Sequence, residues 1–191
     1  MKLGTVIAAL FMAGCAAGLA SCASRAAYVA VIGEHRFLPR SPKWSIEPAT
    51  GAQTGTLARG VPAVYVATVK ADGQRGKGYR WIWLWPDGHM AQRRMIIERE
   101  PSAGDVQRLQ WADVGYFRME GSNLHFEVFA PHYNYGNFDY YRESQGVAQG
   151  DRLVIKKYWW RGQAVPQDMP ETDWEIYELS RLPALRFSPD W

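Results

Sequence analysis

Cysteine is nearly absent from this chain. Its 191 residues contain two, Cys15 and Cys22. Both lie close to the start, so the rest can form no internal disulfide and its core must hold the fold unaided. Neither sign of charge is in excess. A formal net charge of +3 is too small to argue for a nucleic-acid partner, and none is expected. Alternating strand-like and helix-like segments are missing, which excludes a parallel sheet of βαβ units. No repeat of fixed period is present. Histidine is scarce, and His35, His89, His125 and His132 stand at no metal-ligand spacing. Phosphate loop, nucleophile elbow and paired-carboxylate signatures are missing as well. The expectation is therefore a non-catalytic chain without metal or cofactor.

Aromatic residues are what the chain has in surplus. They make up 14% of it, with 9 tryptophans and 10 tyrosines. Such residues favour strands and fill barrel or sandwich interiors, and they also line ligand pockets.

The first residues form a leader. Lys2 is followed by Leu3 to Ala20, which carry no charge. A charged start, an apolar run and small residues before a break describe a secretory signal peptide. The run is also long enough for a retained membrane anchor. Its Ala- and Gly-rich composition and its small-residue end favour removal. Leu19-Ala20-Ser21-Cys22 resembles a bacterial lipobox. That resemblance implies cleavage before Cys22 and acyl chains such as palmitate on a lipidated Cys22. Met12-Ala13-Gly14-Cys15 is a second processing site, but cleavage there would leave Cys22 as an unpaired thiol in an oxidising compartment. One chain holds a protein to a bilayer only marginally, and several hold it stably. No aspartate follows Cys22 directly. The resemblance therefore implies an outer-membrane lipoprotein facing the periplasm.

Beyond the leader, residues 22–60 read as a tether and irregular arm. Ala26 to Ile32 is a short strand or a continuation of the tether. Pro39, Pro42 and Pro48 and the polar stretch from Thr50 to Thr56 read as extended chain. Residues 61–191 read as an antiparallel β domain. Strands are expected at Ala63–Val69, Tyr79–Trp85, Met90–Ile97, Val114–Met119, Leu124–Ala130, Phe138–Ala148, Arg152–Arg161 and Trp174–Leu179. Asp87-Gly88, Gly121-Ser122 and Gly150-Asp151 are turn signals between them. Glu98 to Asp113 is where a short helix fits, and Arg181 to Trp191 is a tail. About eight strands at this spacing predict an all-β antiparallel meander, a closed barrel or a sandwich. Most are too short and too charged for a transmembrane wall.

Two stretches, Gly115-Tyr116-Phe117 with Gly121 and Leu124-His125-Phe126, and Gly146 through Leu153, resemble the hairpins of lipocalin-like (calycin-like) barrels. The architecture is what that resemblance implies. The early Gly-x-Trp signature of lipocalins has no counterpart here.

The most distinctive loop is Pro131 to Tyr141. His132, Tyr133, Asn134 and Tyr135 could rim a barrel mouth and grip a ligand, or pack as a rigid connection. Basic residues recur at Arg75, Lys77, Arg80, Arg93, Arg94, Lys156, Lys157 and Arg161. On one shared face they would meet anionic headgroups; otherwise they are ordinary solvated positions. His89 and His125 read as surface histidines, and Glu171 and Asp173 as solvated turn residues. The expected role is binding of an apolar or amphiphilic small molecule, or of an envelope partner. A filled barrel acting as an assembly adaptor for another envelope protein is the alternative.

Overall fold

Leu124, Phe126 and Val128 alternate with His125, Glu127 and Phe129, the period-two pattern that separates the faces of a strand. The computed structural model of the chain describes residues 28–31, 33, 36–47, 62–70, 77–93, 96–131, 140–182 and 189–191. In it Leu124, Phe126 and Val128 belong to one buried cluster with Tyr65, Ile82 and Phe117. This cluster lies inside a closed barrel.

The elements are β1 (Tyr28–Val31), β2 (Arg36–Pro39), β3 (Ala63–Lys70), β4 (Lys77–Leu84), β5 (His89–Arg93), α1 (Ala103–Val106), β6 (Ala112–Glu120), β7 (Asn123–Phe129), β8 (Tyr141–Gln149), β9 (Arg152–Trp160) and β10 (Glu175–Leu179). Strands β3 to β10 close in the order β10-β3-β4-β5-β6-β7-β8-β9, each antiparallel to its neighbours. The fold is the all-β closed barrel, and the sandwich is excluded. Closure is made by a short seam. Only Glu178↔Val66 and Leu179↔Tyr65 pair between β10 and β3, extended by Ser180 N–H donating to Val64 O at 2.8 Å.

Space, not turn geometry, dictates two glycines. A Cβ on Gly115 would stand 1.8 Å from Glu127 O, and one on Gly146 would stand 2.0 Å from Val154 O. Gly146 also adjoins a shift in register between β8 and β9. Gly146 faces Ile155 while Gln145 faces Lys157, so Lys156 is an extra residue. A bulge of this kind re-aims the side chains that follow it. Tyr158 and Trp160 therefore take the inward direction, while Trp159 packs outside against His125.

β4 reads as a continuous apolar run because it is buried on both faces. Ile82 and Leu84 point into the barrel. Trp81, Trp83 and Trp85 point out, into a second cluster with Val64, Val114, Val106 and Leu109. The segment around α1 and the residues near Trp191 cover this outer face. Trp83 Nε1–H donates to Val106 O at 2.8 Å, and the Arg93 guanidinium lies 4.8 Å over the Trp81 ring. Each buried tryptophan removes roughly 150–250 Å² from water, or about 4–6 kcal/mol before entropy.

A strap crosses another part of the wall. Glu127, on β7, faces outward and is 0% exposed. It accepts from Ser45 N–H (2.7 Å), Ser45 Oγ–H (3.0 Å), Ile46 N–H (3.3 Å) and Arg161 Nη1–H (3.0 Å). Trp44 packs edge-on against Tyr116 and Tyr141, and Arg161 also donates to Lys43 O.

Several element bounds differ from expectation. Residues 22–60 are not wholly irregular, since β1 pairs with β2 in a separate hairpin. β5 ends at Arg93, and Ile97 makes only an isolated bridge to Tyr79. The helix expected between Glu98 and Asp113 is the single turn of α1. Cys15 and Cys22 lie outside the described residues. Among the described residues no helix is long and apolar enough to cross a membrane.

Candidate functional site

The barrel interior is not filled along its whole length. At the end formed by the starts of β4, β6, β8 and β10 and the ends of β5 and β9, a cavity of about 310 Å³ remains. That is the small end of the range for ligand pockets. Its apolar lining comes from Phe126, Ile155, Tyr158 and Trp160.

The polar lining follows from strand parity. Arg80 stands two residues before the inward Ile82, Gln92 two after Met90, and Glu175 two before Tyr177. Each thus points inward near a strand end. They form one hydrogen-bonded chain. Arg80 Nη1–H donates to Glu175 Oε1 at 3.2 Å, and Tyr177 O–H donates to Glu175 Oε2 at 2.7 Å. Gln92 Nε2–H donates to Tyr177 Oη at 3.0 Å, and Arg142 Nη2–H donates to Gln92 Oε1. Burial, with the Glu175 charge added, pushes the Tyr177 phenol well above its ordinary range, so it is a neutral donor at any ordinary pH. Asp113 and Ser144 are buried and line the same space.

Guanidinium groups end the chain on both sides. The Nε–H of Arg80 and that of Arg142 are buried and have no hydrogen-bond partner among the described residues. A buried donor left unsatisfied costs about 1–3 kcal/mol, so an acceptor placed there would recover that cost. Among the described residues no histidine or cysteine lines the cavity, and no group of three or more His, Cys, Asp and Glu is placed to hold a metal ion.

The residues expected to bind ligand, His132, Tyr133, Asn134 and Tyr135, lie outside the described residues. They belong to the connection between Phe129, the end of β7, and Tyr141, the start of β8. Five of the described basic residues point in different directions and do not share one face. Arg80 points into the barrel, Arg93 stacks on Trp81, Lys156 lies over Trp174, Lys157 pairs with Asp168 and Arg161 with Glu127. Arg75 and Arg94 lie outside the described residues. His89 and His125 are half-buried rather than free on the surface. His125 Nε2 is 3.0 Å from Glu143 and its ring stacks on Trp159. His89 lies 3.0 Å from Asp87 and 3.1 Å from Trp191 O. Glu171 and Asp173 are exposed in a 3-10 turn.

A larger groove of about 420 Å³ lies outside the wall near Val66, Tyr79 and Leu182. The interior cavity is the better candidate because charged and apolar groups converge in it and two donors there are unsatisfied. Fold and cavity together describe a small antiparallel barrel with room for one small molecule. The chain matches no known family, no curated protein and no solved structure.

Proposed function

We propose that this chain is a lipid-anchored lipoprotein of a bacterial cell envelope whose barrel binds a small amphiphilic molecule without transforming it. The anchor and the outer-membrane, periplasm-facing placement rest on the leader and on Leu19-Ala20-Ser21-Cys22. The binding reading rests on one observation above all. The relay Arg80–Glu175–Tyr177–Gln92–Arg142 runs along a cavity of about 310 Å³ whose other lining is aromatic and aliphatic. Apolar surface supplies affinity in such a pocket, and a few fixed polar groups supply orientation. His132, Tyr133, Asn134 and Tyr135 remain part of the proposal as contributors to the rim.

The adaptor reading has less support. It needs a filled barrel and a bare aromatic face, whereas Trp81, Trp83 and Trp85 are covered by the chain's own segments.

Two experiments test the proposal. Intact mass of the membrane-extracted protein should match residues 22–191 plus acylglycerol, and Cys22→Ala should move the chain to the soluble fraction. A mass retaining residues 1–21 would replace the lipoprotein with a membrane-anchored chain. Water-soluble amphiphiles should perturb tryptophan emission in the parent, and Ser144→Trp, which fills the cavity, should abolish the response. An unchanged response in a folded Ser144→Trp variant would remove the cavity from the proposal.

A further inference from the structure

The two arginines that end the relay are not equivalent. Arg80 is held by the Glu175 carboxylate at 3.2 Å. Arg142 forms no ion pair among the described residues, and its one hydrogen bond goes to the neutral Gln92 amide. Gln92 is in turn fixed from its other side by the Tyr177 hydroxyl, so Arg142 is oriented but not neutralised. Its Nε–H is buried without a partner. Of the other guanidiniums on the lining, Arg93 stacks on Trp81 outside the wall and Arg80 is held by Glu175, so among the described residues Arg142 lacks both an ion-pair partner and a hydrogen-bond partner for its Nε–H.

A carboxylate answers both deficits. It accepts from the planar fork of a guanidinium in two parallel hydrogen bonds, a stronger arrangement than a neutral acceptor offers. On the same cavity Phe126, Ile155 and Trp160 present apolar surface, which suits a short aliphatic or aromatic body. The volume of about 310 Å³ excludes a long acyl chain held entirely inside.

Resting on the cavity reading above, we propose that the ligand is a small amphiphilic carboxylate, its head group held by Arg142 and its apolar body against Trp160, Phe126 and Ile155. Gln92 and Tyr177 act as positioning residues for Arg142, and Glu175 keeps Arg80 from competing for the head group.

The test is calorimetric titration of the full chain in lipid nanodiscs with octanoate, octan-1-ol and octylammonium, with empty nanodiscs as the blank. Octanoate should bind at least about tenfold more tightly than either analogue, the size of one charge-assisted pair. Arg142→Met should bring octanoate to within about threefold of octanol. Arg142→Lys, which keeps the charge without the fork, should retain part of the preference and keeps the test open if the Met variant does not fold. Equal binding of octanol and octanoate to the parent would overturn the carboxylate assignment and leave the cavity reading standing. Tightest binding of octylammonium would overturn it in favour of the carboxylates. An octanoate preference that survives in Arg142→Met would overturn the role of Arg142. Failure of all three to bind would overturn the cavity reading itself.

Discussion

Replacing Glu127 with alanine should detach the 43–46 strap from the barrel. Glu127 is fully buried and accepts four hydrogen bonds. The donors do not lose equally. Ile46 is buried, so its N–H is stranded at a cost of about 1–3 kcal/mol. The Arg161 guanidinium, 20% exposed, turns partly to water and keeps Lys43 O and the Tyr141 ring. A charge-assisted bond is worth about 1.5–3 kcal/mol, of which some is recovered. Ser45 is exposed, and its two donors find water at little cost. The sum is about 3–5 kcal/mol, the range measured when one member of a buried pair is removed. For a chain of this size that lowers Tm by roughly 6–20 °C. Glu127→Gln keeps shape and an acceptor and should cost about 1–2 kcal/mol. Denaturant unfolding gives the energies. Limited trypsin digestion locates them, since cleavage after Arg40 and Lys43 should accelerate before the barrel is cut. If Glu127→Ala unfolds within about 1 kcal/mol of the parent, the strap is not held by this carboxylate and the reasoning fails.

Three further outcomes are expected. Gly115→Ala should cost more than about 3 kcal/mol or prevent folding, because the added Cβ overlaps backbone and not a mobile side chain; near-parent stability by thermal melting would contradict the close approach of β6 and β7. Tyr177 has its folded pKa raised by burial, so its stabilisation is complete below the unfolded value of about 10 and is lost as pH rises past it. Tyr177→Phe should therefore flatten the alkaline limb of a stability–pH curve, and an unaltered limb would show that another group carries it. The Arg99 guanidinium, with help from Ser102, holds the Asp105 carboxyl far below the usual range. That stabilisation is present above about pH 4 and is lost as pH falls through and below it, so Asp105→Asn should remove a share of the acid dependence seen in unfolding titrations.

Most of the barrel is legible in the chain because local rules carry it. Leu124-His125-Phe126-Glu127-Val128 states its two faces, and Gly121-Ser122 and Gly150-Asp151 mark the hairpins. β4 is legible as a strand through its aromatics, but its double burial is not, because the cover comes from α1 and from residues near Trp191, far along the chain. The β1–β2 hairpin hides among prolines and has no alternating pattern of its own. The cavity is the least legible part. Arg80, Gln92, Arg142 and Glu175 are single polar residues on four strands, and each looks like an ordinary solvated position by itself. Two signals could have found them: each shares parity with inward apolar neighbours, and each sits at a strand end that the meander brings to the same side. The bulge at Lys156 conceals a third, since simple alternation from Ile155 would have sent Trp160 outward.

The seam between β10 and β3 gives the barrel a weak side. Every other neighbour of β3 or β10 is joined by a longer ladder. Free energy of local opening falls with the number of backbone bonds and contacts that must part, so the wall yields first along this line. Glu175 and Tyr177 stand on β10, and Arg80 on the strand next to β3. The polar relay thus bridges the join that the backbone closes least. In the native state its side chains act as a clasp across the gate, and whatever loosens the relay lowers the barrier to the interior.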